Sequence, residues 1–286
     1  MITPVLLRSF GRSGSTYMMQ LLGSHENVLF ERTYPFENRY LTYLARIAML
    51  TGMSPDNDGE WNHDRLMHQN IKRVGPLPYQ DVSIFDKKAM PKTVFKSLWN
   101  GFSKSLAGIE NDGSYFYAEK VAHDICTTVN QSVYAKNLFL IRDPRDEFLS
   151  IKSFNKKRGF NGFGWQEGDT DETFAIRLCR SRKKFMQTIA KIGEGEERRI
   201  VIRYEDAILD ASKTCSRLSE WLGVQLDAES VESNSDKFQH HMTSQKVSDS
   251  VQRWKNEMSE ELKDVFVSEL GEELVSLNYT KGDMDV

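Results

Sequence analysis

Cysteine is scarce in this chain of 286 residues. The three cysteines, Cys126, Cys179 and Cys215, are an odd number, lie far apart and form no CxxC pair, and no histidine stands at zinc-finger spacing from them. These absences argue against a disulfide framework and against a structural zinc site. They predict that the protein works in a reducing compartment.

Long apolar runs and an excess of positive charge are also missing. The first apolar stretch, Pro4 to Leu7, is followed by Arg8, far short of the roughly 20 apolar residues that a membrane span requires. The pattern of a signal peptide is missing too, so we expect a soluble, cytoplasmic protein. The 38 basic and 41 acidic residues give a net charge of −3, which argues against nucleic acid as a partner. Any anionic ligand must therefore be held locally.

Four short runs of β-branched, aromatic and other apolar residues recur along the chain, each followed by a helical stretch. They are Val5–Phe10, Tyr115–Ala118, Leu138–Ile141 and Ile200–Tyr204. This pattern is typical of buried parallel strands joined by crossover helices. The apolar spacing between Thr170 and Ile192 predicts one such helix, with its apolar stripe in the core. We predict an α/β fold: a P-loop-like, three-layer domain with a central parallel sheet flanked by helices.

The domain organisation follows from length and from the absence of linkers. A chain of 286 residues allows two domains or one large α/β domain. No internal repeat, low-complexity tract or linker divides it, so we expect a single domain over residues 1–286. Residues 33–112 hold five of the seven prolines and predict an insertion of helices and irregular loops. In an open α/β sheet, such an insertion covers the carboxyl edge, where ligands bind.

The first predicted strand runs into Gly11-Arg12-Ser13-Gly14-Ser15-Thr16 and then into a helix. Two glycines and three hydroxyl residues let the backbone curl around one anion at the start of that helix. We interpret the loop as a phosphate cradle; the alternative is an ordinary tight turn. It is not a Walker A motif, because Gly14 is followed by Ser15 instead of lysine. The cation of this loop is Arg12.

A second candidate anion site follows the third predicted strand, at Arg142-Asp143-Pro144-Arg145-Asp146. Asp143 as N-cap and Pro144 at the first helical position predict a helix that carries Ser150 in its second turn. Arg142 and Ser150 can then converge on one anion. The alternative is that Arg142 pairs with Asp146 and that Ser150 faces solvent. Two anion sites on neighbouring strand ends suit a nucleotide with phosphates at both its 5′ and 3′ ends.

These residues resemble the sulfotransferases that use 3′-phosphoadenosine 5′-phosphosulfate (PAPS). In that family a first turn such as PRSGTT binds the 5′-phosphosulfate, and an RDPRD segment with a serine eight residues after its first arginine binds the 3′-phosphate. The chain also has RYED from Arg203, whose Tyr204 matches a residue near the adenine. Arg253-Trp254-Lys255 resembles a C-terminal RWK segment that closes over the nucleotide. Gly11 and Ser15 depart from the commoner proline and threonine.

The resemblance implies a set of cofactor-binding residues and a metal-free reaction. The set is Gly11, Arg12, Ser13, Gly14, Ser15, Thr16, Arg142, Ser150, Tyr204, Arg253 and Lys255. The implied reaction moves a sulfonate in line from PAPS to a hydroxyl acceptor and releases adenosine 3′,5′-bisphosphate. The insertion at 33–112 would form the acceptor side. The acceptor (a small metabolite, a carbohydrate or a peptide) and the oligomeric state are not given by the sequence.

The resemblance also implies catalytic residues. Arg12 matches the loop cation of the family, and Lys120 is similar to its reaction-centre lysine, a surface lysine being the alternative. The general base stays open among three residues. Glu31 follows a stretch like the SHPDV…E of tyrosylprotein and bacterial carbohydrate sulfotransferases. His123 lies three residues after Lys120 where two is usual, and Glu37 is the third candidate.

Two other functions compete with sulfonate transfer. A metal-dependent nucleotide kinase on a related scaffold would need the Walker lysine that the first turn lacks. A non-catalytic nucleotide-binding module would bind the bisphosphate without turnover. Beyond these, Gly159–Trp165 alternates glycine with aromatic residues, which predicts either a mobile lid or a segment docked on the core. The adjacent His240 and His241 do not predict a metal site.

Overall fold

The computed structural model describes residues 1–32, 36, 39–51, 86, 88–106, 108–109, 114–193, 195–232 and 248–279. Its central feature is a five-stranded sheet in the order β2-β3-β1-β4-β5. The strands are β1 (Thr3–Arg8), β2 (Val28–Leu29), β3 (Phe116–Lys120), β4 (Lys136–Ile141) and β5 (Arg199–Arg203). β3 pairs in parallel with both β1 and β2. The predicted α/β fold with a central parallel sheet is confirmed.

Helices connect the strands and flank the sheet. They are α1 (Ser15–Leu22), α2 (Tyr40–Leu50), α3 (Met90–Ser105), α4 (Cys126–Ser132), α5 (Pro144–Arg158), α6 (Asp171–Ile189), α7 (Tyr204–Leu209), α8 (Ala211–Leu222), α9 (Ala228–Glu232), α10 (Trp254–Glu257) and α11 (Glu260–Ser276). Short 3₁₀ helices cover His123–Ile125 and Ser248–Ser250. None of the helices described in this way is both long enough and apolar enough to cross a membrane.

The predicted strands are all present, with shifted bounds. β1 begins and ends two residues earlier than the apolar run suggests, so that Ser9 and Phe10 belong to the loop that follows. β2 has two residues, too few for an alternation pattern, and the sequence did not predict it. The predicted helix between Thr170 and Ile192 is α6, and Thr170 caps it by accepting a hydrogen bond from the backbone N–H of Thr173 at 3.2 Å.

The chain separates into two compact units. Unit 1 comprises Met1–Arg8 and Glu26–Asn137, and unit 2 comprises Ser9–His25 and Leu138–Val286. The core of unit 1 is built around Trp99 on α3, whose indole Nε1 donates to the carbonyl oxygen of Ile2 at 2.9 Å. α2 contributes Leu41 and Ala45 to the same core. The expectation of one domain over the whole chain stays a prediction.

The core of unit 2 lies between α5, α6 and α11. Phe148 contacts Phe174 and Phe266 at ring-centroid distances of 5.7 and 5.9 Å. Next to this core, the guanidinium of Arg182 pairs with the buried carboxylate of Glu147. Removing one partner of such a buried pair would leave the other as an uncompensated buried charge.

The three cysteines are free and buried. Burial raises the pKa of the Cys179 thiol to about 12, so this thiol is protonated and unreactive at neutral pH. In the described part of the chain no cluster of three or more His, Cys, Asp or Glu side chains could hold a metal ion. His240 and His241 lie outside the described residues.

Candidate functional site

The loop between β1 and α1 has the backbone conformation of an anion cradle. Arg12 and Gly14 both have left-handed backbones, with φ of 66° and 84°, and Ser13 between them is buried. α1 starts at Ser15 with Gly14 as its N-cap residue, no side-chain cap and no acidic residue in its first turn. The partial positive charge of this helix N-terminus is therefore not neutralised by its own first turn, as an anion site requires.

Gly14 is required by its surroundings as well as by its φ. A Cβ at this position would lie 2.2 Å from Cδ2 of Tyr204. Tyr204 is the first residue of α7, directly after β5, and its side chain is buried. The ring therefore packs on the backbone of the loop. The sequence match that assigned Tyr204 to the nucleotide site did not predict this contact.

Gly11 also lies against an aromatic ring. A Cβ at Gly11 would lie 2.4 Å from Cδ1 of Phe163. Phe163 belongs to the glycine and aromatic segment 159–165, in which Trp165 packs 4.4 Å from Phe174 between ring centroids. The segment thus docks on the core and on the loop. A proline, which is commoner here in the resembling family, would require the Phe163 ring to move.

The side chain of Arg12 contacts two residues of α5, Ser150 and Phe154. Its Nε donates to Oγ of Ser150 at 3.2 Å, and its guanidinium carbon lies 4.2 Å from the ring centroid of Phe154, one turn further along α5. Ser150 is buried, with 1% of its surface exposed, so the alternative of a solvent-facing serine is wrong. A cation over an aromatic ring is held in place without losing its charge.

Arg142 lies directly beside Arg12. Nη1 of Arg142 donates to the backbone oxygen of Arg12 at 2.9 Å, and Nη2 donates to the backbone oxygen of Ser250 at 2.6 Å. Its guanidinium carbon is 4.6 Å from the ring centroid of Tyr204. The Arg142 guanidinium is thus bonded to backbone carbonyls, whereas the alternative expectation paired it with Asp146.

The Nε nitrogen of Arg142 is a candidate donor to a bound anion. Nε of Arg142 is buried and has no hydrogen-bond partner among the described residues. The whole residue has only 5% of its surface exposed. A buried donor without an acceptor costs about 1 to 3 kcal/mol, more when it is charged. An anionic oxygen bound at this place would remove that cost.

The start of α5 fixes the backbone of Arg142. Asp143 caps the helix as predicted, accepting from the backbone N–H of Arg145 at 2.9 Å. The backbone N–H of Asp143 donates to Oε1 of Glu205 at 2.8 Å, and the hydroxyl of Tyr279 donates to Oε2 at 3.0 Å. Burial raises the pKa of the Glu205 carboxyl. The sequence did not indicate that Glu205 of the RYED motif contacts Asp143 and Tyr279, because no local pattern links positions so far apart in the chain.

The C-terminal segment 250–255 joins the same group of residues. The hydroxyls of Tyr204 and Ser250 lie 2.9 Å apart, and the guanidinium carbon of Arg145 lies 3.5 Å from the ring centroid of Trp254. Arg253 pairs with Glu257, but its Nη1 is buried without a hydrogen-bond partner among the described residues. Lys255, in α10, is partly buried, and its Nζ lies 5.9 Å from the Trp254 ring.

Unit 1 carries the other predicted site residues. Lys120 is the last residue of β3 and is in register with Leu7, one residue before the end of β1. Glu31 lies two residues beyond β2, which runs parallel to β3. Glu31 and Lys120 therefore lie near the carboxyl ends of adjacent strands. His123 begins a 3₁₀ helix and is exposed, and Glu37 lies outside the described residues.

Next to Lys120, Glu119 has a role that the sequence did not indicate. It is 2% exposed, and its carboxylate accepts the backbone N–H groups of Leu41 and Thr42 at 2.8 and 2.9 Å. The hydroxyls of Thr42 and Tyr117 donate to it as well, at 2.6 and 3.2 Å. Glu119 thereby caps α2 from β3. Burial raises the pKa of its carboxyl, although these hydrogen bonds act in the opposite direction.

Comparison with known proteins identifies the family. The family described as "Sulfotransferase domain" matches residues 3–275, which is almost the whole chain. The chain belongs to the sulfotransferase family. It is therefore an enzyme of sulfonate transfer. No curated protein sequence matches it.

Solved structures resemble the fold of this sulfotransferase. The sulfotransferase domain of the Synechococcus PCC 7002 olefin synthase is 16% identical, with 93% of this chain and 94% of that chain covered and a TM-score of 0.51. Mouse SULT7A1, complexed with PAP, is 13% identical over 96% and 84%, with a TM-score of 0.49. A sulfotransferase from Alicyclobacillus acidocaldarius is 14% identical over 97% and 94%, with a TM-score of 0.46. The first of these likenesses supports the fold.

The donor set of unit 2 is suited to an anion. The described site of the sulfotransferase combines the guanidinium of Arg142, bonded to the backbone of Arg12, with the guanidinium of Arg12 on the buried hydroxyl of Ser150 and with a helix N-terminus that has no side-chain cap. Two of the guanidinium N–H groups, on Arg142 and Arg253, are buried without acceptors in the part of the chain that the structure describes. Such groups bind phosphate oxygens through charge-assisted hydrogen bonds. The residues present therefore fit a phosphorylated nucleotide.

Proposed function

We propose that this sulfotransferase moves a sulfonate from PAPS to a hydroxyl acceptor and releases adenosine 3′,5′-bisphosphate. The observation that carries the proposal is the direct contact between Arg12 and Arg142, together with the unpaired Nε of Arg142. One arginine belongs to the loop assigned to the 5′-phosphosulfate and the other to the segment assigned to the 3′-phosphate. Their proximity lets one doubly phosphorylated adenosine contact both.

In this proposal each part of the unit 2 site holds a different part of the nucleotide. The loop Gly11–Thr16 and the start of α1 bind the 5′ end. Arg142 and Ser150 bind the 3′-phosphate, and Arg253 and Lys255 close over it. The ring of Tyr204, which is in contact with Gly14 and 4.6 Å from the guanidinium of Arg142, lies at the adenine.

The proposed chemistry needs positioned charge more than a covalent intermediate. PAPS, when bound, supplies an activated sulfonate. In-line transfer of such a group depends on alignment and on stabilising the charge that develops on the leaving phosphate. We assign that role to Arg12 and Lys120 without a metal ion. By analogy with a donor in an oxyanion hole, one such cation stabilises the transition state by about 3 kcal/mol.

The acceptor hydroxyl must lose its proton, and we assign Glu31 as the general base. Its place two residues beyond β2, at the same sheet edge as Lys120, supports this choice. His123 and Glu37 are the alternatives. The three free, buried thiols suit a reducing compartment, for which we propose the cytoplasm.

A turnover assay tests the proposed function. The enzyme is incubated with PAPS and a panel of phenolic, sugar and peptide acceptors, with EDTA present, and the bisphosphate product is quantified by mass spectrometry. We expect product with at least one acceptor, and none from ATP with Mg²⁺. Phosphorylated acceptor from ATP, or tight bisphosphate binding with no turnover for any acceptor, would favour the kinase or the non-catalytic module.

The same assay with Glu31→Gln isolates the base. We expect turnover to fall ~10²-fold or more while bisphosphate affinity, measured by calorimetry, stays at the wild-type value. Glu26→Gln, an exposed position in the same segment, is the matched control and keeps full turnover. Full activity in Glu31→Gln would transfer the role to His123 or Glu37.

A further inference from the structure

Asp146 is a fully buried carboxylate that no part of the proposed chemistry uses. It is the third residue of α5 and has 0% of its surface exposed. Each of its oxygens accepts a backbone N–H from the 250–255 segment. The N–H of Gln252 donates to Oδ2 at 2.7 Å, and the N–H of Trp254 donates to Oδ1 at 3.0 Å.

The 250–255 segment needs such an anchor. It joins a single 3₁₀ turn, Ser248–Ser250, to the four-residue helix α10, and it belongs to no strand. Gln252 has a φ of 57°, a left-handed conformation that is uncommon for a residue with a side chain. A strained backbone of this kind persists only where the surroundings hold it. The two hydrogen bonds to Asp146 come from the strained residue itself and from the residue two positions after it.

The anchored segment carries the groups that surround Arg142. The carbonyl oxygen of Ser250 accepts from Nη2 of Arg142, and the Ser250 hydroxyl is bonded to that of Tyr204. Arg253, between the two anchored N–H groups, has a buried Nη1 without an acceptor among the described residues. The place of the segment therefore decides where this nitrogen lies relative to the unpaired Nε of Arg142.

We propose that Asp146 is a positioning residue, which holds the 250–255 segment so that Arg253 and Arg142 bind the same anionic group of the nucleotide. This inference rests on the proposed function, since it assigns that anion to the nucleotide. Asp146 contacts the segment and not the ligand. It holds the segment through one backbone N–H on each of its two oxygens.

The protonation of Asp146 supplies a readout that a packing role would not give. Burial, and next the neighbouring Asp143, raise the pKa of Asp146 to about 7, whereas Arg142 and the N–H groups of Trp254 and Gln252 act to lower it. Because this pKa lies above that of an exposed carboxyl, the held segment binds the proton more tightly than a released segment that exposes Asp146 to water. The segment is therefore held less tightly as the pH rises through 7.

Hydrogen exchange in the absence of nucleotide tests the anchor. Exchange in residues 248–258 is followed by mass spectrometry at pH 6 and pH 8 and corrected for the intrinsic rate. We expect the wild type to be about tenfold less protected at pH 8 than at pH 6, and Asp146→Asn to be poorly protected at both, because an amide offers one acceptor oxygen. Wild-type protection that does not change with pH would overturn the proposal even if the variant failed to fold.

Affinity for adenosine 3′,5′-bisphosphate, measured by calorimetry, tests the consequence. We expect Asp146→Asn to bind about tenfold more weakly and to raise the KM for PAPS, with kcat within about threefold of the wild type. Asp210→Asn is the matched control: Asp210 also accepts a backbone N–H, from Lys213, but is exposed at the start of α8. Unchanged affinity in Asp146→Asn overturns the positioning role. A wild type that binds no bisphosphate refutes the proposed function instead, whatever the exchange shows.

Discussion

At the scale of single residues, Gly14 is constrained both by its backbone conformation and by the neighbouring ring of Tyr204. Comparing Gly14→Ala with Gly168→Ala separates the two effects. The φ of 84° at Gly14 strains any residue with a side chain, and a Cβ would contact the Tyr204 ring at 2.2 Å. Gly168 has nearly the same φ, 83°, with nothing near its Cβ position. Gly168→Ala thus reports the backbone strain alone, which is about 1 to 2 kcal/mol.

We expect Gly14→Ala to lower the free energy of unfolding by more than Gly168→Ala does, by a further 1 to 3 kcal/mol or so because of overpacking against Tyr204. Chemical denaturation measures both. Bisphosphate affinity should fall only in Gly14→Ala, since the displaced ring belongs to the nucleotide site. Equal destabilisation by the two substitutions would show that the ring moves aside without cost.

The residues that the sequence could indicate are those whose chemistry is local. Arg12 and Gly14 occur within one short loop, and the cap of α5 by Asp143 depends on residues next to it in the chain. The contacts of Gly11 with Phe163 and of Asp146 with Gln252 join positions more than 100 residues apart. Such contacts depend on how the elements pack, and no residue pattern within one element encodes them.

At the scale of elements, the start of α2 depends on a side chain from β3. Glu119 accepts the N–H groups of Leu41 and Thr42, two of the four N–H groups that an α-helix leaves unpaired at its start. Glu119→Gln keeps the shape but replaces one acceptor oxygen by a donor. We expect the free energy of unfolding to fall by about 1 to 3 kcal/mol at pH 5, measured by denaturant titration.

The pH dependence of this effect has a definite sign. Burial raises the pKa of Glu119 above its unfolded value, so the folded state binds the proton more tightly. The contribution of the group is complete below its unfolded pKa and is lost as the pH rises through the folded pKa. The cost of Glu119→Gln is therefore smaller at pH 8 than at pH 5. A cost that grew with pH, or one equal to that of the exposed Glu26→Gln, would contradict this account of the cap.

The elements themselves were predictable to different degrees. β1, β3, β4 and β5 are apolar enough to be recognised, whereas the two residues of β2 gain their place from pairing with β3. The insertion at 33–112 does contain helices, α2 and α3. The sequence could not predict that Glu119 caps α2. In the sequence, Glu119 stands next to Lys120, and nothing there distinguishes a buried cap from a solvent-exposed charge.

At the scale of the whole molecule, the sequence predicts the α/β architecture because strand and crossover helix alternate along the chain. It also predicts that the loop after β1 and the start of α5 serve one ligand, and the bond between Arg142 and the Arg12 backbone at 2.9 Å is consistent with this. The division into two compact units was not foreseen. The chain passes from unit 1 to unit 2 after Arg8 and returns to unit 1 after His25, and the composition does not change at these points.

The central claim is that Arg142 recognises the 3′-phosphate of an adenosine bisphosphate whose 5′ end lies in the loop Gly11–Thr16. Calorimetric titration of adenosine 3′,5′-bisphosphate and of 5′-AMP into the wild type and Arg142→Ala tests it most directly. We predict that the wild type prefers the bisphosphate by a factor that corresponds to roughly 2 to 4 kcal/mol. Arg142→Ala should lose most of this preference while binding 5′-AMP as the wild type does. A variant that keeps the full preference would contradict the account.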